Sequence, residues 1–269
     1  MRRLLGAVVV AFTFALAGTA QAAEPDSVVS YGPDALDTAA VYQAGRVPVL
    51  LLHEKGQTAT TVRGQAGSLQ NAGFTVFDLE WSVSHNGIFP YETNQIEGAI
   101  AFVRAHAADY GVNPERLGVV SASRGALLAL LASERANAKA PGTVKALVAL
   151  SGQPNSEAAI ERARRGELLK IMVGNLAEAF GCTKELVWCP EEYVREWSAI
   201  NRASAQAPAM FLAASEAERR AAVADQYELA AKLQRLGVAA QVVVPLEGHG
   251  YGYWGQVKEA AVGFLREHV

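Results

Sequence analysis

A series of short apolar runs, each broken off by polar or glycine-containing residues and each followed by an amphipathic stretch, constrains this chain more than any other feature. "VPVLLLHE" (Val47–Glu54), "FTVFDLEW" (Phe74–Trp81), "RLGVVSAS", "VKALVALSG" (Val144–Gly152), "PAMFLAAS" and "AAQVVVPLEG" have the length of strands. They are apolar almost throughout rather than at alternate positions, which is the signature of strands buried on both faces. Between them lie "ATTVRGQAGSLQNAG", "NQIEGAIAFVRAHAADYG", "RGALLALLASERA", "ADQYELAAKLQRLG" and "GQVKEAAVGFLREHV", with apolar residues recurring at three and four. These read as helices, with Gly73 and Gly111 as stops. Doubly buried strands alternating with helices imply an α/β fold with a mostly parallel, doubly wound sheet. One or two opening antiparallel strands are expected in Ser27–Val41. With 269 residues, 51% of them hydrophobic, the chain suits one domain with a large core.

The rhythm breaks in two places along the chain. "MRRLLGAVVVAFTFALAGTAQA" carries Arg2 and Arg3, an apolar stretch to about Leu16, and Ala20 and Ala22 around Gln21. That is the plan of a secretory signal peptide spanning 1–22, leaving 23–269 as the mature domain. Its apolar part falls short of the ~20 residues that a membrane span needs, so no stable membrane insertion is expected once it is removed. A secreted or periplasmic protein follows. The second break, about 153–207, is charged and helical in pattern, and reads as a small cap-like insertion. It contains Cys182 and Cys189. In an oxidising compartment so close a pair reads as a local disulfide, a link that stabilises by about 2.5 kcal/mol in the chain-entropy account. Net charge is -3 with no basic run, which argues against a nucleic-acid partner.

Ser123 lies where the run "RLGVVSAS" gives way to a helix, inside Ser121-Ala122-Ser123-Arg124-Gly125. Loops at the carboxyl ends of parallel strands line the binding crevice, and a sharp strand-to-helix turn that presents a serine has the pattern G-x-S-x-G. Here Ser121 replaces the first glycine. A helix N-cap would also account for Ser123. A serine hydroxyl needs a base to take its proton. His249, in "LEGHGYGYW" after the last strand and between Gly248 and Gly250, is the candidate; His53, His85, His106 and His268 are less well placed. A carboxylate should lie between serine and histidine in sequence, after "PAMFLAAS". The loop "SEAERRAAVADQ" offers Glu218 first, then Glu216, while Asp225 reads as the start of the next helix. Oxyanion donors are expected from the backbone N–H of Arg124 and from the loop at Glu54 and Lys55.

These segments bring the chain close to a known family. It resembles the secreted α/β-hydrolase esterases of the carboxylesterase and feruloyl-esterase-like type, related to hormone-sensitive lipases. "SVVSYG…LDTAAVYQAG…VPVLLLHEKG", "AADYGVNPERLGVVSASRGALLALLAS", "VALSGQPN" and "PAMFLAAS…LEGHGYG" carry the likeness. The resemblance implies Ser123 as nucleophile and His249 as general base, acting on a small-molecule carboxylic ester without metal or organic cofactor. The chain departs from the family pattern at His53-Glu54-Lys55-Gly56, where His-Gly-Gly is usual, at Ser121, and in lacking the usual aspartate. The alternatives are a non-catalytic binding protein on the same scaffold and a serine peptidase or amidase. Arg124 reads either as an anion-binding side chain or as a helix-capping one. Trp81, Tyr91, Trp188, Tyr251, Tyr253 and Trp254 are candidate pocket walls.

Overall fold

A computed structural model describes residues 24–81 and 89–269. The segment read as a signal peptide and His85 lie outside the described residues. The strands are β1 (Ser27–Ser30), β2 (Thr38–Tyr42), β3 (Val47–Leu52), β4 (Phe74–Leu79), β5 (Gly118–Ala122), β6 (Ala146–Leu150), β7 (Ala209–Ala213) and β8 (Ala240–Val243). They form one sheet in the order β1-β2-β4-β3-β5-β6-β7-β8. The expected opening strands are present: β1 pairs antiparallel with β2, and β2 antiparallel with β4, while the remaining pairs are parallel.

Every residue of β4, β5 and β6 is buried, which explains why those runs show no polar alternation. Successive side chains point to opposite faces. Leu50, Leu52, Val119 and Leu147 join a core with α2 (Tyr91–Ala105) and α3 (Arg124–Lys139), while Val49, Leu51, Val120 and Val148 join one with α1 (Arg63–Asn71) and α9 (Trp254–His268). Both faces are therefore covered, as a parallel sheet requires. Helix α2 ends at Ala105, short of the expected stop. His106 caps it and pairs with Asp109, and turns carry the chain on to Gly111 at φ +64°.

Between β6 and β7 the chain makes α4 (Ser156–Arg164), α5 (Lys170–Phe180), α6 (Glu191–Glu196) and α7 (Ala199–Arg202), before α8 (Val223–Arg235) resumes the alternation. Leu176, Phe180 and Trp197 bury these insertion helices in the core on the α3 side. Cys182 and Cys189, in the connection from α5 to α6, are disulfide-bonded. No helix among the described residues is long and apolar enough to cross a membrane.

Strand order fixes where the chemistry can sit. From β3 the chain moves through α1 to β4 on one side, then crosses through α2 to β5 on the other. That reversal opens a crevice between the carboxyl ends of β3 and β5. Leu52 of β3 lies opposite Ser121 of β5, so the residues after them, Glu54–Lys55 and Ser123, face one another across it.

Candidate active site

Ser123 stands between β5 and α3 with φ 55° and ψ −120°. A non-glycine residue there is strained, and the surroundings must hold it. Its N–H donates to the Leu150 carbonyl (2.8 Å), and its carbonyl accepts from Ala126 N–H (3.1 Å) and Leu127 N–H (3.2 Å). Gly125 is required by packing: a Cβ there would come within 2.4 Å of the His53 carbonyl oxygen. Ser121 fills the place of the usual glycine without strain, because it is fully buried in β5 and its hydroxyl donates to the Val148 carbonyl of β6 (2.9 Å).

The Ser123 Oγ lies 2.9 Å from His249 Nε2. His249 is carried on the loop after β8, between Gly248 at φ +106° and Gly250 at φ +52°. A side chain at Gly250 would meet the Glu54 carboxylate, 2.3 Å from a Cβ. On the far side of the imidazole, Nδ1 is hydrogen-bonded to Glu218 Oε2. Nδ1–H donating to a carboxylate leaves Nε2 as the acceptor for the serine hydroxyl. The side chains of His249 and Glu218 are 14% and 4% exposed, so water does little to weaken the pair.

The other candidates are placed elsewhere. Glu216 is exposed on the same loop. Asp225 opens α8, as its position suggested, and pairs with Arg162 of α4; burial raises its pKa to about 6, against the pull of that arginine. His53 is buried and stacked on Trp81, with ring centroids 4.8 Å apart, and its Nδ1 lies 2.8 Å from the Glu54 carbonyl. His106 pairs with Asp109, and His268 packs on Phe264. Arg124 ion-pairs with the fully buried Glu92 (Nε to Oε2, 2.9 Å) and covers the Phe89 ring at 4.7 Å. Burial pushes the Glu92 carboxyl up, with Arg124 opposing it. A neutralised guanidinium is not the open anion-binding group that its position after Ser123 allowed.

Ser151, just after β6, escaped the sequence reading. It holds φ 51° and joins three loops: its hydroxyl donates to Glu218 Oε1 (2.8 Å), accepts from Gly250 N–H (2.8 Å), and lies 2.8 Å from the Tyr253 hydroxyl. Ser215 N–H also donates to Glu218 Oε1 (3.1 Å). The carboxylate is thus fixed on one oxygen and presented to His249 with the other. The Glu54 side chain was missed too. Its Oε1 accepts from Tyr251 N–H (2.9 Å), and its Oε2 is 3.8 Å from His249 Nε2.

The cavity at Ser123 measures about 30 Å³ and is bordered by Leu127 of α3 and by Met172, Asn175 and Leu176 of α5. None of the aromatic residues considered as pocket walls borders it. Tyr251 and Tyr253 are buried struts of the histidine loop, donating to the carbonyls of Leu52 and Ala213 (both 2.9 Å). Trp188 is 60% exposed. A much larger groove, about 550 Å³, lies between the insertion helices α4 and α6 and helix α8, but neither serine nor histidine borders it. Size does not mark the chemistry in this molecule.

A family model described as BD-FAE matches residues 51–233, from within β3 to within α8, taking in Ser123 and Glu218. The chain belongs to the BD-FAE family. No curated protein matches it. Among solved structures, a truncated carbohydrate esterase from gut microbiota superposes with TM-score 0.70 at 19% identity, covering 90% of this chain and 96% of that one. An acetyl ester-xyloside bifunctional hydrolase from Caldicellulosiruptor lactoaceticus gives 0.69 at 16%, covering 91% and 95%. The propionate-bound thermophilic esterase Est2 from the Planctomycetes species Thermogutta terrifontis gives 0.69 at 17%, covering 90% and 93%. Identities this low speak to fold, and the fold is that of the α/β-hydrolases. This BD-FAE protein has the α/β-hydrolase fold that the resemblance in its sequence implies.

Proposed function

We propose that the protein hydrolyses carboxylic esters through a Ser123–His249–Glu218 triad and an acyl-enzyme. The observation that carries this reading is the continuous contact from the Ser123 hydroxyl through both nitrogens of His249 to Glu218. As Oγ attacks the ester carbonyl, its proton passes to Nε2, and Glu218 stabilises the imidazolium and keeps the ring in the required tautomer. A second carboxylate lies near the same nitrogen, with Glu54 Oε2 3.8 Å from Nε2. The imidazolium then protonates the departing alcohol. Water, deprotonated by the same nitrogen, releases the acid from the serine.

Two donors for the oxyanion are supported by the backbone. Arg124 is the first residue of α3, where an N–H has no partner within the helix. The Glu54 carbonyl is engaged by His53 Nδ1 and by Gln57 N–H (3.0 Å). A trans peptide points the Lys55 N–H the opposite way. Glutamate and lysine in place of two glycines are therefore compatible with backbone donation.

The solved esterases that it resembles support a short acyl group, and so does the narrow cavity. The disulfide supports export to an oxidising space, periplasmic or extracellular. A fluorophosphonate probe tests the central reading. Wild-type protein is expected to be labelled at Ser123 and Ser123→Ala not at all; folded wild-type protein that stays unlabelled would favour the binding-protein alternative. Turnover of aryl esters over matched aryl amides separates an esterase from a peptidase or amidase.

A further inference from the structure

Three cationic residues border the Ser123 cavity: Lys55, Arg124 and Arg220. Two are already neutralised. Lys55 pairs with Glu178 of α5 and also donates to Asn175 Oδ1 (3.3 Å), and Arg124 pairs with Glu92. Arg220 lies on the loop after β7, close in sequence to Glu218, and is half-buried. Its guanidinium has no ion pair among the described residues. The undescribed segments, 1–23 and 82–88, contain no aspartate or glutamate that could supply one.

Its backbone, by contrast, is well held. Gln153, itself a cavity residue, donates from Nε2 to the Arg220 carbonyl (2.6 Å). The preceding residue, Arg219, donates to the carbonyls of Gly166 (2.8 Å) and Glu167 (3.1 Å), and its own carbonyl accepts from Leu169 N–H (2.9 Å). The loop is fixed on both sides of Arg220 while the guanidinium is left uncommitted. An arginine in a confined, partly dehydrated site offers a planar fork of donors suited to a carboxylate.

We propose that Arg220 is a specificity-determining residue that binds a carboxylate on the substrate, so that the preferred ester is an anion carrying a carboxylate close to the scissile bond. This rests on the reading of the protein as an ester hydrolase. The carboxylate belongs either to the acyl part, a half-ester of a dicarboxylic acid, or to the alcohol part, a hydroxy acid acylated on its hydroxyl. The chemistry at Arg220 is the same in both.

The test compares matched pairs in the full-length protein. The first is the 4-nitrophenyl half-ester of glutaric acid against 4-nitrophenyl pentanoate; the second is 4-acetoxybenzoate against phenyl acetate. In one pair the anionic ester is expected to have the higher kcat/KM. Arg220→Met should then cut the ratio of anionic to neutral kcat/KM roughly 10- to 100-fold, as expected for loss of a charged hydrogen-bonding partner. The change should lie mainly in KM, and Arg220→Lys should restore part of the ratio. The responding pair identifies which part of the ester carries the charge. The inference is overturned if the esters are turned over with no preference in either pair, or if Arg220→Met lowers both members equally, which would make Arg220 a support for Glu218. A second readout needs no turnover: with both anions tried on Ser123→Ala, calorimetry should detect monomethyl glutarate or 4-acetoxybenzoate and neither dimethyl glutarate nor phenyl acetate, with binding lost when Arg220→Met is added. Selective binding without wild-type turnover would sink the hydrolase reading and leave the site standing. Turnover without selectivity would do the reverse.

Discussion

At the scale of single residues, the site is a set of constraints that the backbone meets at some cost. Ser123 and Ser151 both sit at positive φ, and both are held by contacts from other loops. Ser123 and His249 were legible in the sequence because a parallel sheet allows only strand ends as active positions, and chain order then narrows the partners. Glu218 over Glu216 was less so. The choice depends on which side chain turns inward to meet Ser151 and Ser215, and no local pattern encodes that. Glu218→Gln keeps the shape but removes the charge and disturbs the tautomer. It is expected to lower kcat for an aryl ester roughly 100- to 10,000-fold, whereas Glu216→Gln should stay within about twofold, as exposed substitutions do. Equal losses in steady-state assays of the two variants would show that the acid has been misassigned. Ser151→Ala removes a donor to Glu218 and an acceptor for Gly250 N–H, so its kcat should fall between the two.

Among the elements, α5 decides access. Its residues Met172, Asn175 and Leu176 close the space at Ser123 to about 30 Å³, against roughly 300–1,000 Å³ for ordinary ligand pockets. An ester of any bulk requires α5 to yield. Lys55, on the loop after β3, holds α5 through Asn175 and Glu178. With the two charged side chains 26% and 36% exposed, the pair contributes no more than about 1 kcal/mol, so loosening it should have a modest effect. Glu178→Gln and Lys55→Met are each expected to raise the ratio of kcat/KM for 4-nitrophenyl octanoate over 4-nitrophenyl acetate by about two- to fivefold. A ratio that stays fixed or falls in both variants would mean that α5 is not the barrier. The sequence indicated an insertion, since charge and cysteines interrupt the strand rhythm there. Within it the amphipathic stretch "GELLKIMVGNLAEAF" reads as a helix covering the site, and α5 takes that place. That follows from the packing of Leu176 and Phe180 into the α3-side core.

For the whole molecule, the alternation of doubly buried strands and amphipathic helices made the architecture readable, since one sheet with both faces covered is the arrangement that buries such runs. The same burial traps charges that the sequence pattern does not explain. Asp78 is the next-to-last residue of β4 and Glu134 lies within α3; neither has a hydrogen-bond partner on either carboxyl oxygen among the described residues. Burial raises both carboxyls well above their usual range. Glu80 adds to this at Asp78 while Arg63 opposes it, and Arg202 and Lys232 oppose it at Glu134. Each is therefore held protonated in the folded chain at pH values where the unfolded chain has already lost the proton. A raised folded pKa contributes stability that is complete below the unfolded value, near 4, and that drains away as pH climbs toward the folded one. The amides of the same shape, Asp78→Asn and Glu134→Gln, cannot titrate. Their Tm relative to wild type should thus rise as pH climbs above about 4 in thermal unfolding scans. A difference that stays level across that range would mean that the carboxyls are ionised in the folded protein, with partners found for their charge.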